Sequence, residues 1–108
     1  MPHSRKVLSA GTLATFKVEN TVRESIGTIK DLMIEMATGK VAYAVLSYGG
    51  VLGVGEKLFA ISWAKLVPDP DRDQVFILDM PKENFDKARG FNPDQWPDIV
   101  DPAWTLQT

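Results

Sequence analysis

The chain has 108 residues, of which 44% are hydrophobic and 24% charged, as is usual for one globular domain. It contains no cysteine, which excludes disulfides and thiolate chemistry and makes a cytoplasmic location the expectation. The net charge of −2 predicts no particular partner, and no apolar run approaches the roughly 20 residues of a membrane helix.

Charges are unevenly distributed along the chain. Residues 1–68 contain eight Lys and Arg against five Asp and Glu, whereas residues 69–108 contain four against nine. The simpler interpretation is a solvated acidic C-terminal segment. The alternative is that this segment lies on the basic part of the fold, either within one chain or between two copies.

The first two thirds of the chain have the pattern of β-structure. Residues 1–11 show little periodicity and are expected to form a flexible arm. Strands are predicted where apolar or β-branched residues alternate, at 12–18, 26–36, 41–48, 57–63 and 74–78. Polar, glycine- or proline-containing turns separate them at 19–25, 37–40 and 68–73. This arrangement favours a small antiparallel sandwich or barrel.

The strand predicted at 26–36 does not keep one phase, because Ile29 breaks the parity that Ile26 and Leu32 share. A bulge near Lys30–Asp31 explains the break, and so does partial burial of both faces. A helix also fits part of the spacing. The β-branched residues and the turn that follows favour a strand.

The C-terminal part departs from this pattern. Pro81 is expected at the first position of a short helix over 80–88, with Phe85 and Ala88 on one face, and Gly90 is expected to end it. Further prolines at 97 and 102 exclude a long helix beyond. The expected organisation is a flexible arm, a β domain, and a helical and proline/tryptophan-rich tail, at residues 1–11, 12–80 and 81–108.

A glycine-rich stretch at 48–57, YGGVLGVGEK, raises the question of phosphate binding. Gly50 and Gly55 have the separation of a P-loop, but Glu56 precedes Lys57 and no hydroxyl residue follows. A carboxylate in such a loop would repel phosphate. The segment also precedes a strand pattern, whereas a phosphate loop opens a helix.

A hairpin explains the stretch better. Gly49 and Gly50 directly follow an alternating strand, which is typical of a tight turn. Gly53 and Gly55 then allow the second arm to bend sharply where the sheet curls.

Residues 26–66 resemble the PRC-barrel family, and the resemblance extends over about residues 10–80. The matching residues, in order, are Gly27, Ile29, Asp31, Gly39, Tyr43, Gly49, Gly50, Gly53, Gly55, Lys57 and Trp63. Ser62 differs, since many members have proline there. The resemblance implies an all-β fold, a small and strongly bent antiparallel β-barrel of about six strands. It implies a binding and assembly module with no shared catalytic residue and no cofactor.

The residues themselves suggest little chemistry. The only histidine, His3, lies in the expected arm, and one histidine makes neither a catalytic relay nor a metal site. The alternating acids of the segment 69–73, DPDRD, form either a solvated turn or a weak cation site without the EF-hand pattern. Asp31 is expected to be partly buried, to accept from backbone N–H groups or from Lys57, and to stabilise the bend.

Partner binding is the leading functional hypothesis. Trp96 and Trp104 lie in the tail and are expected either to cap the barrel or to dock to another subunit. Exposed sheet edges favour a homo-oligomer and an unidentified protein partner. The alternative is an RNA- or ribosome-associated maturation factor, but scattered basic residues and a pI near 5.3 disfavour nucleic acid. No membrane association is predicted.

Overall fold

The computed structural model describes residues 7–49, 56–88 and 90, and β-structure dominates this part of the chain. Its elements, in chain order, are α1 (Ala10–Leu13), β1 (Lys17–Glu19), β2 (Ser25–Ile34), β3 (Val41–Tyr48), β4 (Lys57–Ser62), a 3-10 turn (Trp63–Lys65), β5 (Leu66–Pro68), β6 (Val75–Leu78) and α2 (Lys82–Lys87).

The six strands of the described residues form one sheet in the order β4-β3-β2-β1-β6-β5. The predicted fold class is confirmed, as a six-stranded sheet curled into a half-barrel with short helices. The sheet is mixed, because β1 and β6 pair in parallel while the other neighbours are antiparallel. These two strands are far apart in sequence, and parallel pairing needs a long connection.

A bulge accounts for the irregular apolar spacing in β2. Ile26, Ile29 and Leu32 are all buried. The pairing of β2 with β3 shifts register between Ile29 and Asp31. The three-residue spacing from Ile29 to Leu32 therefore returns to the same face of the sheet. The spacing from Ile26 to Ile29 goes with a second register shift, in the pairing of β2 with β1, where Val18 pairs with Gly27 and Glu19 with Ser25. The predicted bulge is confirmed, and the helical alternative is wrong because the segment pairs with β3 along its length.

One face of the sheet carries the main core, and the three helical segments lie against it. Phe85 of α2 belongs to this core, and Leu13 of α1 and Trp63 of the 3-10 turn pack on it. The buried members are Phe16, Val18, Ile26, Ile29, Leu32, Ala44, Leu46, Tyr48, Phe59, Ile61, Leu66, Phe76, Leu78, Met80 and Phe85.

A second group of buried side chains lies on the opposite face of β3 and β4. It consists of Tyr43, Val45, Leu58 and Ala60, which we call the outer cluster. Each of these residues alternates with core residues along its strand, and successive side chains of a strand point to opposite faces. The β3–β4 pair is therefore buried on both faces.

The N-terminal strand prediction at 12–18 is wrong in its first half. α1 occupies this region, and the Ser9 hydroxyl accepts from the Thr12 backbone N–H at 3.1 Å as an N-cap. This local cap overrides the alternation of apolar residues that suggested a strand. The strand begins only at Lys17, and the expected domain boundary at residue 12 falls inside α1.

Two further differences concern the second half of the sheet. β5 was not predicted, because its three residues are too few to show a pattern and end at Pro68. The predicted helix after Leu78 is confirmed as α2, but it begins at Lys82, so Pro81 is its N-cap residue and not its first helical residue. Gly90 lies beyond the helix, whose C-cap is Ala88.

An ion-pair cluster ties β1 to the turn between β5 and β6. The Arg72 guanidinium donates to both carboxylate oxygens of Glu19, at 3.1 and 2.7 Å, and to Asp69 at 2.9 Å. Asp69 also accepts from the Asp71 backbone N–H at 2.8 Å and is only 6% exposed. The solvated-turn interpretation is thus wrong for Asp69. No three His, Cys, Asp or Glu side chains within the described ranges are placed to hold a metal ion.

The cluster depresses the pKa of both carboxyl groups. The hydrogen bond from Arg72 lowers the pKa of Glu19 below its ordinary 4.5. The Asp71 N–H and then Arg72 lower the pKa of Asp69 below its ordinary 3.8. Such carboxylates stabilise the fold at pH values above their unfolded pKa. This contribution is lost as the pH falls through their lower folded values, in a window that opens below about pH 5.

Replacement of Arg72 by methionine (R72M) tests the cluster. We expect R72M to unfold at a lower urea concentration than the wild type at pH 7. We expect the difference to shrink as the pH falls from about 5 to about 3, because protonated carboxyl groups no longer depend on the guanidinium. K40M, at an exposed turn lysine, is the control and should follow the wild type throughout. A difference between R72M and wild type that stays constant down to about pH 3 would contradict the assignment.

Candidate functional site

The glycine-rich stretch connects two antiparallel strands. β3 ends at Tyr48, β4 begins at Lys57, and these two residues pair with each other. Gly49 has a φ of +72°, which favours glycine. A phosphate loop needs a helix N-terminus at this point, whereas Lys57 is the first residue of a strand. Gly50, Gly53 and Gly55 lie outside the described residues, and their predicted role in the bend stays a prediction.

Gly27 is placed where β2 approaches β3 closely. It pairs with Tyr48, and a Cβ atom at this position would lie 2.0 Å from the Ser47 carbonyl oxygen. No side chain fits without moving one of the strands. Gly39 differs: its surroundings are open, but its φ of +76° lies in the left-handed region. The first glycine serves packing, and the second serves the turn between β2 and β3.

Asp31 is not buried as expected. It lies exposed at the bulge in β2, and its carboxylate accepts from the backbone N–H of Leu32 at 2.9 Å. A backbone donor was one of the two expected partners. The other, Lys57, bonds elsewhere. The bulge accounts for the exposure, because it shifts the strand register at Asp31 and leaves the buried positions to Ile29 and Leu32.

Lys57 binds the C-terminal end of α2. Its amino group donates to the backbone carbonyls of Asp86 at 2.9 Å, Ala88 at 3.2 Å and Phe85 at 3.3 Å. The last carbonyl groups of a helix have no partners within the helix and carry partial negative charge. Lys57 satisfies these groups and joins β4 to α2.

Aromatic packing beside Lys57 completes the attachment of α2. The Phe85 ring stacks on Tyr48 with centroids 5.4 Å apart and meets Phe59 edge-on at 5.3 Å. The Tyr48 hydroxyl donates to the Asp86 carboxylate. Burial, followed by this hydrogen bond, raises the pKa of Tyr48 to about 12. The sequence placed Phe85 and Ala88 on one face of the helix but contained no signal for the partners of Phe85 across the sheet.

A polar cluster lies just before β4. The Glu56 carboxylate accepts from the Lys30 amino group and from the Ser47 hydroxyl. These two hydrogen bonds lower the pKa of Glu56. The cluster ties β2, β3 and the start of β4 together. Glu56 and Lys30 are therefore engaged with each other, next to the glycine-rich connection.

The exposed end of the β2–β3 hairpin carries two large apolar side chains beside the charged Glu35 and Lys40. We call residues 34–41 the hairpin tip. Met36 is 93% exposed and Ile34 is 44% exposed. The turn is ordered by hydrogen bonds from the Glu35 N–H to the Lys40 carbonyl and from the Gly39 N–H to the Glu35 carbonyl, both 2.8 Å. The tip presents apolar side chains on a defined backbone. Trp96 and Trp104, expected either to cap the barrel or to dock to another subunit, lie outside the described residues.

The family of the chain follows from this fold together with a comparison of its sequence. Residues 6–84 match the family model of the PRC-barrel domain. The chain belongs to the PRC-barrel domain family. The match spans well over half of the 108 residues and confirms the resemblance described above. No curated protein matches the chain.

PRC-barrel domains are small binding and assembly modules and are generally non-catalytic. The polar side chains described for this PRC-barrel domain tie its elements together: Arg72 across β1 and β5–β6, Lys57 on α2, and Lys30 with Glu56. None of the helices in the described ranges has the length and apolar character needed to cross a bilayer.

Replacement of Gly27 by alanine tests the close approach of β2 and β3. We expect G27A to lower the free energy of unfolding by about 1–3 kcal/mol, because the added methyl group meets backbone atoms. The measurement is urea unfolding followed by circular dichroism. Gly11, a helical glycine with nothing within 4 Å of its Cβ position, provides the control. G11A should be neutral or stabilising by about 0.5–1 kcal/mol. Equal effects of the two substitutions would refute the packing role of Gly27.

Replacement of Lys57 by methionine tests the attachment of α2. K57M keeps the aliphatic stem but removes the donor to three helix carbonyls, so we expect a loss of about 1–2 kcal/mol in unfolding free energy. Amide hydrogen exchange in residues 82–88 should accelerate more than exchange in β2. K40M is again the control. Unchanged exchange in α2 would show that Lys57 does not anchor the helix.

Proposed function

We propose that this PRC-barrel domain is a non-catalytic binding module that associates with copies of itself and docks to a protein partner through its hairpin tip. The exposure of Met36 and Ile34 on an ordered turn carries this proposal. Methionine side chains are flexible and polarisable, and they adapt to varied apolar surfaces. The tip thus combines an adaptable contact surface with a defined backbone.

The pre-ordered backbone of the tip lowers the cost of binding. β2 and β3 are the two longest strands of the described residues, and they pair from Ile34 and Val41 at the tip to Gly27 and Tyr48 at the other end. A segment that is already ordered loses little conformational entropy on association. An apolar side chain on such a segment is suited to act as an anchor in a partner's pocket.

The sheet edges are less suited to association. β5, at one edge, has three residues and ends in Pro68, which has no N–H to donate. β4, at the other edge, is approached by Gly90, whose Cβ position lies 2.7 Å from the Leu58 carbonyl oxygen. Edge-to-edge pairing, the route expected from the sequence, is therefore less favoured than contact through the tip.

The titratable groups also support a non-catalytic role. A general acid or base works best with a pKa near the operating pH. Here the pKa values are shifted away from neutral pH. Those of the carboxyl groups of Glu19, Glu56 and Asp69 are lowered, and that of Tyr48 is raised. Each of these groups is also hydrogen bonded to a structural partner.

The RNA-associated alternative remains a prediction without a specific observation in its favour. Sequence-tolerant RNA binding needs free basic groups interleaved with exposed aromatic rings. Lys30 and Lys57 are bonded to Glu56 and to α2, and Tyr48 and Phe59 are buried in the core.

Substitution of Met36 by aspartate tests docking through the tip. We expect the wild-type chain to show a concentration-dependent mass in size-exclusion chromatography with light scattering. M36D should raise its apparent dissociation constant about tenfold or more, the effect of losing an apolar anchor. Val22, 72% exposed in the β1–β2 turn, provides a matched control, and V22D should associate like the wild type.

Two results would count against this proposal. A wild-type chain that is monomeric at every concentration excludes self-association. Association that M36D and V22D leave equally unchanged places the contact on another surface.

A further inference from the structure

The three methionines of the described residues lie in very different surroundings. Met36 at the hairpin tip is 93% exposed, Met33 in β2 is half-buried, and Met80 between β6 and α2 is only 2% exposed. Met33 packs against the outer cluster, and Met80 belongs to the core. Small reagents in solution therefore reach the Met36 side chain far more readily than the other two.

An exposed thioether reacts with peroxides. The 108 residues contain no cysteine, whose thiolate would otherwise compete for the oxidant. The methionine sulfur attacks one oxygen of hydrogen peroxide, and an S–O bond forms as the O–O bond breaks. The proton of the transferred oxygen passes through solvent to the leaving hydroxide. The products are methionine sulfoxide and water, so the sulfur loses the two electrons that the peroxide gains.

Oxidation of Met36 leaves the fold intact. The turn is held by backbone hydrogen bonds from the Glu35 N–H to the Lys40 carbonyl and from the Gly39 N–H to the Glu35 carbonyl, and neither uses Met36. A side chain that is 93% exposed also has few packing contacts to lose. At Met80, by contrast, the sulfoxide would place an unpaired polar oxygen in the core.

The same reaction changes the binding properties of the hairpin tip. Methionine sulfoxide is polar, and its formation disrupts contacts that depend on an apolar thioether. Glu35 and Lys40 beside it are charged and exposed. Ile34, 44% exposed, would then be the remaining exposed large apolar side chain of the tip. A partner's apolar pocket would have to bury the sulfoxide oxygen without a hydrogen bond, which weakens binding.

We propose that Met36 is a modification site: peroxide converts it to the sulfoxide in the folded domain, and this conversion switches off association through the hairpin tip. The switch is reversible, because methionine sulfoxide reductases restore the thioether. The assignment of the site stands on exposure, whereas its effect rests on the proposed function of the tip. The two parts have separate readouts.

Peptide mass mapping of the full-length chain tests the modification site. The chain is treated with increasing concentrations of hydrogen peroxide, quenched, and cleaved after Glu35 with a glutamate-specific protease, which separates Met33 from Met36. We expect the Met36 peptide to gain one oxygen atom at a lower peroxide concentration than the Met33 and Met80 peptides. The thermal unfolding midpoint of chains oxidised at Met36 should equal that of untreated chains. Oxidation of Met33 or Met80 at the same or a lower peroxide concentration overturns the site, and a lowered midpoint overturns modification of an intact fold.

Size-exclusion chromatography with light scattering measures the effect on association. Oxidised wild-type chains should have an apparent dissociation constant about tenfold or more above that of untreated chains, and treatment with the reductases should reverse the change. M36L keeps an apolar side chain without sulfur, so it should associate like the wild type and not respond to peroxide. M36Q, with a polar side chain of similar length, should associate weakly with or without peroxide.

The results separate this proposal from the proposed function. If M36D weakens association but chains oxidised at Met36 associate as tightly as untreated chains, the tip docks and the switch is overturned. An equal response of M36L to peroxide assigns the effect to another oxidised residue and also overturns the switch. A wild-type chain that is monomeric at every concentration removes self-association and the switch together, while the peptide map still decides whether Met36 is the modification site.

Discussion

Burial of the β3–β4 pair on both faces is the constraint on which the rest of this structure depends. Strands that are apolar on two sides need cover on two sides, as do the strands of sheets packed between layers. On the core face, α2 supplies the cover and is fastened by Lys57 and by the Tyr48 ring. On the outer face, Tyr43, Val45, Leu58 and Ala60 are buried as well.

Charged residues in this domain join segments that are distant in sequence. Arg72 connects β1 to the turn after β5, and Lys57 connects β4 to the end of α2. Because these charges are engaged, the surface available to a partner is better defined by exposed apolar side chains. Met36 and Ile34 are such side chains, and they lie on the ordered turn of the hairpin tip, which supports a binding role.

Sequence patterns predicted most of the strands because the alternation of apolar residues along a strand is visible within a few consecutive residues. β3 and β6 match their predicted positions to within one residue, and the bulge in β2 was visible as a break in parity. The two elements that the sequence did not predict were also missed for local reasons. α1 was missed because its Ser9 cap competes with an alternating pattern, and β5 because three residues show no periodicity.

By itself, the sequence determined the all-β class, the family, the turn at Gly39 and the hairpin nature of the glycine-rich stretch. Each of these depends on residues close together in the chain or on a spaced motif. Only the tertiary structure decided that Lys57 binds α2 rather than Asp31, and that Arg72 binds Glu19 of β1. These partners lie tens of residues apart, and no local pattern records which distant group a charged side chain will meet. The physical reason is that strand order, which brings such groups together, is set by packing of the whole sheet.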